Sequence, residues 1–270
     1  MTHNQYTRRR SLGENLDLPL TSPAMRPVEG WANDRGVKLH FLHSLPGEQD
    51  KTLLVIIPGF SESAEYWFRV MTSLAPRGCV SLSLRGRGKS DAPETGYAFD
   101  NHVDDIEAVI DSLDLGGFCL MGFSRGVTYG LGYTSRHLER VKGLILIDFP
   151  ARYHPFPPSF IQEFLSTSHG GKLGAELLQP RVAWALQREG LDVPLWDVLS
   201  RVEFPVLFLH GGQKESLIAS SAVERYRQVI RNGRVVKFED SGHDLREPDY
   251  ERFVNTVEAF LSDIDRPSKH

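Results

Sequence analysis

Short apolar runs alternate with segments of helical spacing along most of the chain. Residues 53–57 are continuously apolar and precede Pro58 and Gly59, which is typical of a strand buried on both faces. Residues 101–113 instead place apolar side chains three and four positions apart, which predicts a helix. The same reasoning predicts strands over 28–31, 37–43, 53–57, 79–84, 117–122, 144–147, 205–209 and 235–238. It predicts further helices over 127–137, 222–230 and 250–261.

Strands that alternate with helices indicate an α/β fold with a mostly parallel sheet and helices on both of its faces. Residues 149–202 interrupt this pattern, because they contain six prolines and only short helical segments, over 160–165 and 172–188. An insertion of this size between two strands is typical of a helical cap or lid. We therefore expect a core of residues 27–148 and 203–265, with the cap at 149–202.

The charge balance and the hydropathy exclude several classes of function. The chain has 270 residues and a formal net charge of -4, so it lacks the basic field of most nucleic-acid-binding proteins. No apolar run approaches the roughly 20 residues that cross a bilayer. The two cysteines, Cys79 and Cys119, lie in apolar runs, where we expect reduced, buried thiols.

The N-terminal segment has some features of an export signal. Arg8, Arg9 and Arg10 resemble a twin-arginine signal, but residues 13–19 carry two acids and a proline instead of an apolar run. We expect residues 1–26 to form a flexible tail and the protein to be cytoplasmic.

A possible nucleophile lies at the junction of a predicted strand and a predicted helix. Residues 122–126 read GFSRG and match G-x-S-x-G, with Ser124 at the centre. Small residues on both sides allow a tight turn, and the helix that follows directs unpaired N–H groups toward a developing negative charge. Ser124 is therefore the predicted nucleophile.

A serine nucleophile requires a base and an acid that orients the base. His243 follows the last predicted strand, at the sheet edge where catalytic groups collect. Two acids lie between Ser124 and His243 and follow strands: Glu215 and Asp148. Both acids stay open at this point. The backbone N–H groups of Phe60 and Arg125 are the predicted oxyanion donors.

With these residues in place, the chain resembles the α/β-hydrolase superfamily over residues 28–262, and within it the capped, esterase-like members. The resemblance rests on five blocks in the family's order: PGFSES at 58–63, LRGRGKS at 84–90, GFSRG at 122–126, PVLFLHGG at 205–212 and DSGHDL at 240–245. The chain departs from the family at Pro58, where His is usual, at Ser83, where Asp is usual, and at Glu215, where Asp is usual. Because the family places its acid on the loop after the penultimate strand, the resemblance implies Glu215 as the acid, with Asp148 as the alternative.

The resemblance implies a serine hydrolase of an ester, thioester or lactone that needs no cofactor. Members that act on halides or epoxides use Asp where this chain has Ser124. Carbon–carbon bond hydrolysis and perhydrolysis use the same triad and stay open, as does a receptor function on the same fold. The oligomeric state stays open as well.

Aromatic residues near the insertion and the oxyanion loop indicate an apolar substrate pocket. The predicted substrate-binding residues are Tyr66, Trp67, Phe149, Tyr153, Phe160 and Trp184.

Two other patterns suggest different chemistry and are weaker. Residues 83–90 nearly match a phosphate-binding P-loop, but Ser83 replaces its first glycine. His40 and His43 have no acidic partner at ligand spacing, so we predict no metal site.

Overall fold

A computed structural model describes residues 26–266, and its centre is an eight-stranded sheet. Its strands are β1 Val28–Asp34, β2 Val37–His43, β3 Leu53–Ile57, β4 Cys79–Leu82, β5 Phe118–Phe123, β6 Val141–Ile147, β11 Val206–Gly211 and β12 Gly233–Phe238, with β7 to β10 in the insertion described below. They lie in the order β1-β2-β4-β3-β5-β6-β11-β12. β2 is antiparallel to both of its neighbours, β1 and β4, and the remaining neighbours are parallel.

Helices cover both faces of this sheet. One face packs against α1 (Phe68–Ser73) and α9 (Tyr250–Asp265). The opposite face packs against α2 (Phe99–Ser112), α3 (Arg125–Arg136), α7 (Trp196–Arg201) and α8 (Ser220–Val229). The architecture is therefore the three-layered α/β fold that the sequence predicts.

The central parallel strands β3 and β5 are apolar because both of their faces are buried. In β3, Val55 and Ile57 enter one core, while Leu54 and Ile56 enter the other. This alternation is the period of two expected of a strand. Cys79 and Cys119 are free and fully buried, as expected, and burial raises the pKa of the Cys79 thiol to about 12.

The insertion, residues 149–202, joins β6 to β11 and has its own small core. Its short elements are β7 (Arg152–Tyr153), α4 (Pro158–Ser166), β8 (Ser168–His169), β9 (Lys172–Leu173), α5 (Gly174–Leu177), α6 (Pro180–Arg188) and β10 (Val193–Pro194). Ile161, Phe164, Val182 and Leu186 pack together with Tyr97 of the loop between β4 and α2. This contact places the insertion over loops that follow the carboxyl ends of the strands.

Some elements differ from the sequence prediction. The helix expected over 172–188 divides at Pro180, whose ring cannot continue the preceding turn. The sequence pattern did not predict α1 or α7, because each is only six residues long. The predicted N-terminal tail lies almost entirely outside the described residues. Within the part of the chain described, no helix is long and apolar enough to cross a membrane.

Candidate active site

Ser124 occupies a strained turn between β5 and α3. Its φ of 51 and ψ of -127 lie in a region that residues with a Cβ rarely adopt. The Ser124 N–H donates to the Ile147 carbonyl at 2.9 Å, which fixes the turn to the end of neighbouring β6. The side chain is only 5% exposed. Such a turn is the geometry of a nucleophile elbow.

The glycines on either side of Ser124 are required by close backbone approach. A Cβ on Gly126 would lie 2.1 Å from the Ile57 carbonyl oxygen. A Cβ on Gly122 would lie 2.6 Å from the Gly126 carbonyl oxygen. Both distances are far below van der Waals contact, so the tight turn depends on both glycines.

The imidazole of His243 is held by Asp148. His243 Nδ1 donates to Asp148 Oδ2 at 2.8 Å. The carboxylate also accepts from the N–H groups of Gly211 at 3.0 Å and Leu217 at 2.9 Å, and from the Ser216 hydroxyl at 2.6 Å. These four donors satisfy a carboxylate that is fully buried.

The same donors set the charge of Asp148. Burial by itself raises the pKa of this carboxyl group, but the hydrogen bonds from His243, Ser216, Gly211 and Leu217 lower it further than burial raises it. The net pKa lies below the ordinary value, so Asp148 is ionised at neutral pH and can stabilise a protonated imidazole.

The preference for Glu215 as the acid beside His243 needs correction. Glu215 lies on the loop after β11, as predicted, but its side chain is 42% exposed and its nearest cation is Lys214, at 3.9 Å. That loop instead contributes the Ser216 hydroxyl and the Leu217 N–H to Asp148. The physical reason is strand order: β6 and β11 are neighbours, so Asp148 at the end of β6 reaches the loop after β11.

His243 lies beside the nucleophile turn. Its ring stacks on Phe123, the residue before Ser124, with centroids 4.8 Å apart and planes inclined by 30°. The structure thus brings Ser124, Asp148 and His243 to one edge of the sheet, where β5, β6 and β12 end.

The loop after β3 packs directly against the nucleophile. A Cβ on Gly59 would lie 3.3 Å from Ser124 Cβ, so glycine permits this close approach. Neither the Phe60 N–H nor the Arg125 N–H donates a hydrogen bond to another residue of the described chain. Both groups are therefore available as donors, and their role at an oxyanion stays a prediction.

Arg246 joins this oxyanion loop to the histidine loop. Its guanidinium donates to Glu62 at 3.0 Å and to Asp244 at 2.8 Å, and it stacks on Trp67 at 4.5 Å. Burial lowers the pKa of Arg246, but the two carboxylates raise it above its ordinary value. Glu62 also accepts the Gly59 N–H at 3.1 Å, so this ion pair fixes the loop that carries Phe60.

A narrow, tightly closed cavity lies between the insertion and the core. Its lining residues are Phe60, Arg125, Tyr129, Tyr153, Phe156, Ile161, Leu186 and Gln187. The sequence analysis missed four of these lining residues, because they lie on helices whose orientation depends on packing: Tyr129, Ile161, Leu186 and Gln187. For Tyr129 a signal existed: it follows Arg125 by four positions on the same helix, and therefore shares its face.

The predicted aromatic residues occupy different places. Tyr153 lines the cavity, and Phe149 and Phe160 lie beside it, against Arg125 and Phe156 respectively. Trp67 does not line the cavity, because it is fully buried beneath Phe123 and donates to Glu62 at 3.1 Å. Tyr66 packs against the core between the sheet and helices α1 and α9, and Trp184 packs within the insertion.

The P-loop-like segment has a structural role. The Ser90 hydroxyl donates to the Ser83 carbonyl at 2.6 Å, and the Ser83 hydroxyl accepts the Ala64 N–H at 2.9 Å. Lys89 pairs with Glu29. These groups are engaged within the protein, and they do not form a phosphate cradle. Across residues 26–266, no cluster of His, Cys, Asp or Glu has the arrangement of a metal site.

Comparison with known proteins gives a consistent result. Residues 52–160 match the model of a family described as "alpha/beta hydrolase fold". The chain is 25% identical over 243 residues to the "AB hydrolase superfamily protein YisY" of Bacillus subtilis, covering 77% of this chain and 90% of that protein. It is 25% identical to a "putative non-heme chloroperoxidase" of Synechocystis, covering 67% and 81% of the two chains.

The solved structures agree with this comparison at the level of fold. The esterase RhEst1 from Rhodococcus sp. ECU1013 superposes with a TM-score of 0.72 at 24% identity, covering 89% of this chain and 100% of that one.

Proposed function

We propose that this chain, which belongs to the α/β-hydrolase superfamily, is a serine hydrolase that cleaves an ester-like bond through an acyl-enzyme. The observation that carries the proposal is the hydrogen bond from His243 Nδ1 to Asp148 beside the strained turn of Ser124. A nucleophile, a base and an orienting acid then occur in the chain order that this fold uses.

In the proposed mechanism the bond to Asp148 fixes the tautomer of His243, which leaves Nε2 unprotonated. Nε2 takes the proton from the Ser124 hydroxyl as the serine oxygen attacks the substrate carbonyl. His243 then protonates the leaving group, which departs and leaves an acyl-Ser124. Water, deprotonated by the same imidazole, releases the acid product and restores the serine.

The N–H groups of Phe60 and Arg125 stabilise the tetrahedral oxyanion. One such donor typically contributes about 10²–10³ in kcat. Because the Arg125 N–H begins α3, the helix dipole adds to the stabilisation.

The proposed substrate is a small ester, thioester or lactone with an apolar or aromatic group. The cavity supports this class because its walls are mainly aromatic and aliphatic. The insertion forms the roof of this cavity, so we infer that it acts as a cap. The solved esterase supports ester cleavage, and the similarity to a putative chloroperoxidase supports perhydrolysis as a second reaction of the same serine.

The test is intact-mass detection of an acyl-enzyme with small p-nitrophenyl esters, using wild type and Ser124→Ala. We expect a covalent adduct on Ser124 in wild type and a loss of several orders of magnitude in turnover in the variant. A folded Ser124→Ala protein with normal turnover contradicts the proposal. Ligand-dependent partner binding without an acyl-enzyme favours a receptor function instead. Cell fractionation tests the cytoplasmic location, which stays a prediction.

A further inference from the structure

Arg125 carries a buried positive charge, and no carboxylate from residues 26–266 pairs with it. Its side chain is part of the cavity wall, and the residue is only 2% exposed. Within residues 26–266 its guanidinium makes one hydrogen bond, from Nη1 to the neutral His154 carbonyl at 2.6 Å, and no ion pair. Three rings surround it, with the centroids of Phe156, Tyr153 and Phe149 at 3.9, 4.7 and 5.5 Å.

The aromatic rings compensate only part of the cost of this burial. A cation over an aromatic ring is only weakly stabilised, whereas an uncompensated buried charge is strongly destabilising. Burial lowers the pKa of Arg125, and the nearby charge of Arg87 lowers it further, although Tyr129 and Tyr153 act in the opposite direction. Arginine nevertheless remains charged in proteins, so the cavity carries a net positive charge.

Arg87 adds a second buried guanidinium behind the same wall. It is 1% exposed and donates only to neutral acceptors: the carbonyls of Phe60 and Arg85, and His102 Nε2. Burial holds the pKa of His102 well below its ordinary value, so this imidazole is neutral. Arg87 Nη2 has no hydrogen-bond partner in the described part of the chain. Neither arginine is therefore paired with a carboxylate in the part of the chain that the structure describes.

We propose that the cavity binds an anionic group, so that the preferred substrate of the proposed hydrolase carries a carboxylate near the Arg125 guanidinium. That the bound anion is part of a substrate rests on the proposed function, whereas the anion site itself does not depend on it. A planar guanidinium binds carboxylates through paired charged hydrogen bonds, and the aromatic walls exclude water that would weaken them. The Arg125 backbone N–H and side chain then act on one substrate, at its oxyanion and at its carboxylate.

The test uses two pairs of esters that differ only in charge. Monomethyl adipate is compared with methyl adipamate, and 4-carboxyphenyl acetate with 4-carbamoylphenyl acetate. The first pair places the carboxylate on the acyl side and the second on the leaving group. The measured quantity is the ratio of kcat/KM within each pair, which cancels any general loss of activity.

We expect wild type to favour the carboxylate in at least one pair by about tenfold to a hundredfold, the value of a charged hydrogen bond. Arg125→Met should abolish the preference and Arg125→Lys should keep part of it. Arg152→Gln is the matched control, because this exposed arginine of the insertion pairs with Asp192 away from the cavity. Wild type that hydrolyses the neutral esters through Ser124 with no preference for either acid overturns this inference and leaves the proposed function intact.

A binding measurement tests the anion site separately from the proposed hydrolase function. Adipate should raise the melting temperature of Ser124→Ala, whereas the neutral adipamide should not. The rise should disappear in the double variant with Arg125→Lys or Arg125→Met, whichever folds. If no ester forms an acyl-enzyme but adipate binds in this way, the proposed function fails and the anion site stands. If adipate has no effect and no ester pair shows a preference, the anion site is wrong.

Discussion

The His243 imidazole donates to the Asp148 carboxylate at 2.8 Å, although the two residues lie 95 positions apart in the chain. This bond assigns the acid of the proposed triad to the strand next to the nucleophile strand. The loop that carries Glu215 holds Asp148 from the other side.

The first prediction compares the two acids. Asp148→Asn should lower kcat by about 10⁴, because the imidazole loses both its orientation and the stabilisation of its protonated form. Glu215→Gln should stay within a few-fold of wild type, since the side chain is 42% exposed and its contact with Lys214 is as long as 3.9 Å. Steady-state kinetics at matched folded fractions measures both. A large loss in Glu215→Gln with little change in Asp148→Asn would reverse the assignment.

The second prediction concerns stability and pH. The pKa of Asp148 is below its ordinary value in the folded protein, so its contribution to stability is present above about pH 4 and is lost as the pH falls through the folded pKa. Asp148→Asn should therefore be less stable than wild type at neutral pH. The difference between their free energies of unfolding should become smaller as the pH falls. Asparagine tolerates the positive φ at this position, so the substitution does not add backbone strain of its own.

Urea unfolding between about pH 3 and pH 7 checks this expectation. A difference in the free energy of unfolding that grows as the pH falls would show that the hydrogen bonds do not favour the ionised form of Asp148.

The third prediction assigns a positioning role to Ser216. Its hydroxyl donates to Asp148 Oδ1 at 2.6 Å, so Ser216→Ala should raise the pKa of Asp148 and cost about 1–3 kcal/mol of stability. We expect kcat to fall about tenfold with little change in KM. Ser216→Thr, which keeps the hydroxyl, should recover most of the activity. Equal losses in the alanine and threonine variants would show that the hydrogen bond is not the cause.

The fourth prediction tests the nucleophile turn. Gly126→Ala should destabilise the protein by about 2–3 kcal/mol, because its Cβ would meet the backbone oxygen of Ile57. Gly116→Ala is the control, since a Cβ there has no atom within 4 Å and should change stability by only about 0.5 kcal/mol. Thermal or urea unfolding compares them. Similar stabilities for the two variants would mean that the turn relaxes easily.

The sequence by itself determined the features that depend on near neighbours in the chain. The apolar runs fixed β2 and β3 at the observed residues, because strand periodicity and turn residues act over a few positions. The turn at Ser124 was also predictable, since Gly122 and Gly126 lie within two positions of the serine. His243 was placed at the correct edge because parallel strands all present their carboxyl ends there.

Only the tertiary structure decided which acid reaches His243. Both Asp148 and Glu215 follow strands that end at the correct edge, and their spacing from His243 along the chain does not distinguish them. The choice depends on which backbone N–H groups surround a carboxylate, and the pairing of β6 with β11 sets this. The same holds for the Arg125 side chain, because the sequence predicts a role only for the backbone N–H of this residue. Its buried, unbalanced charge arises only when the insertion folds over the sheet edge.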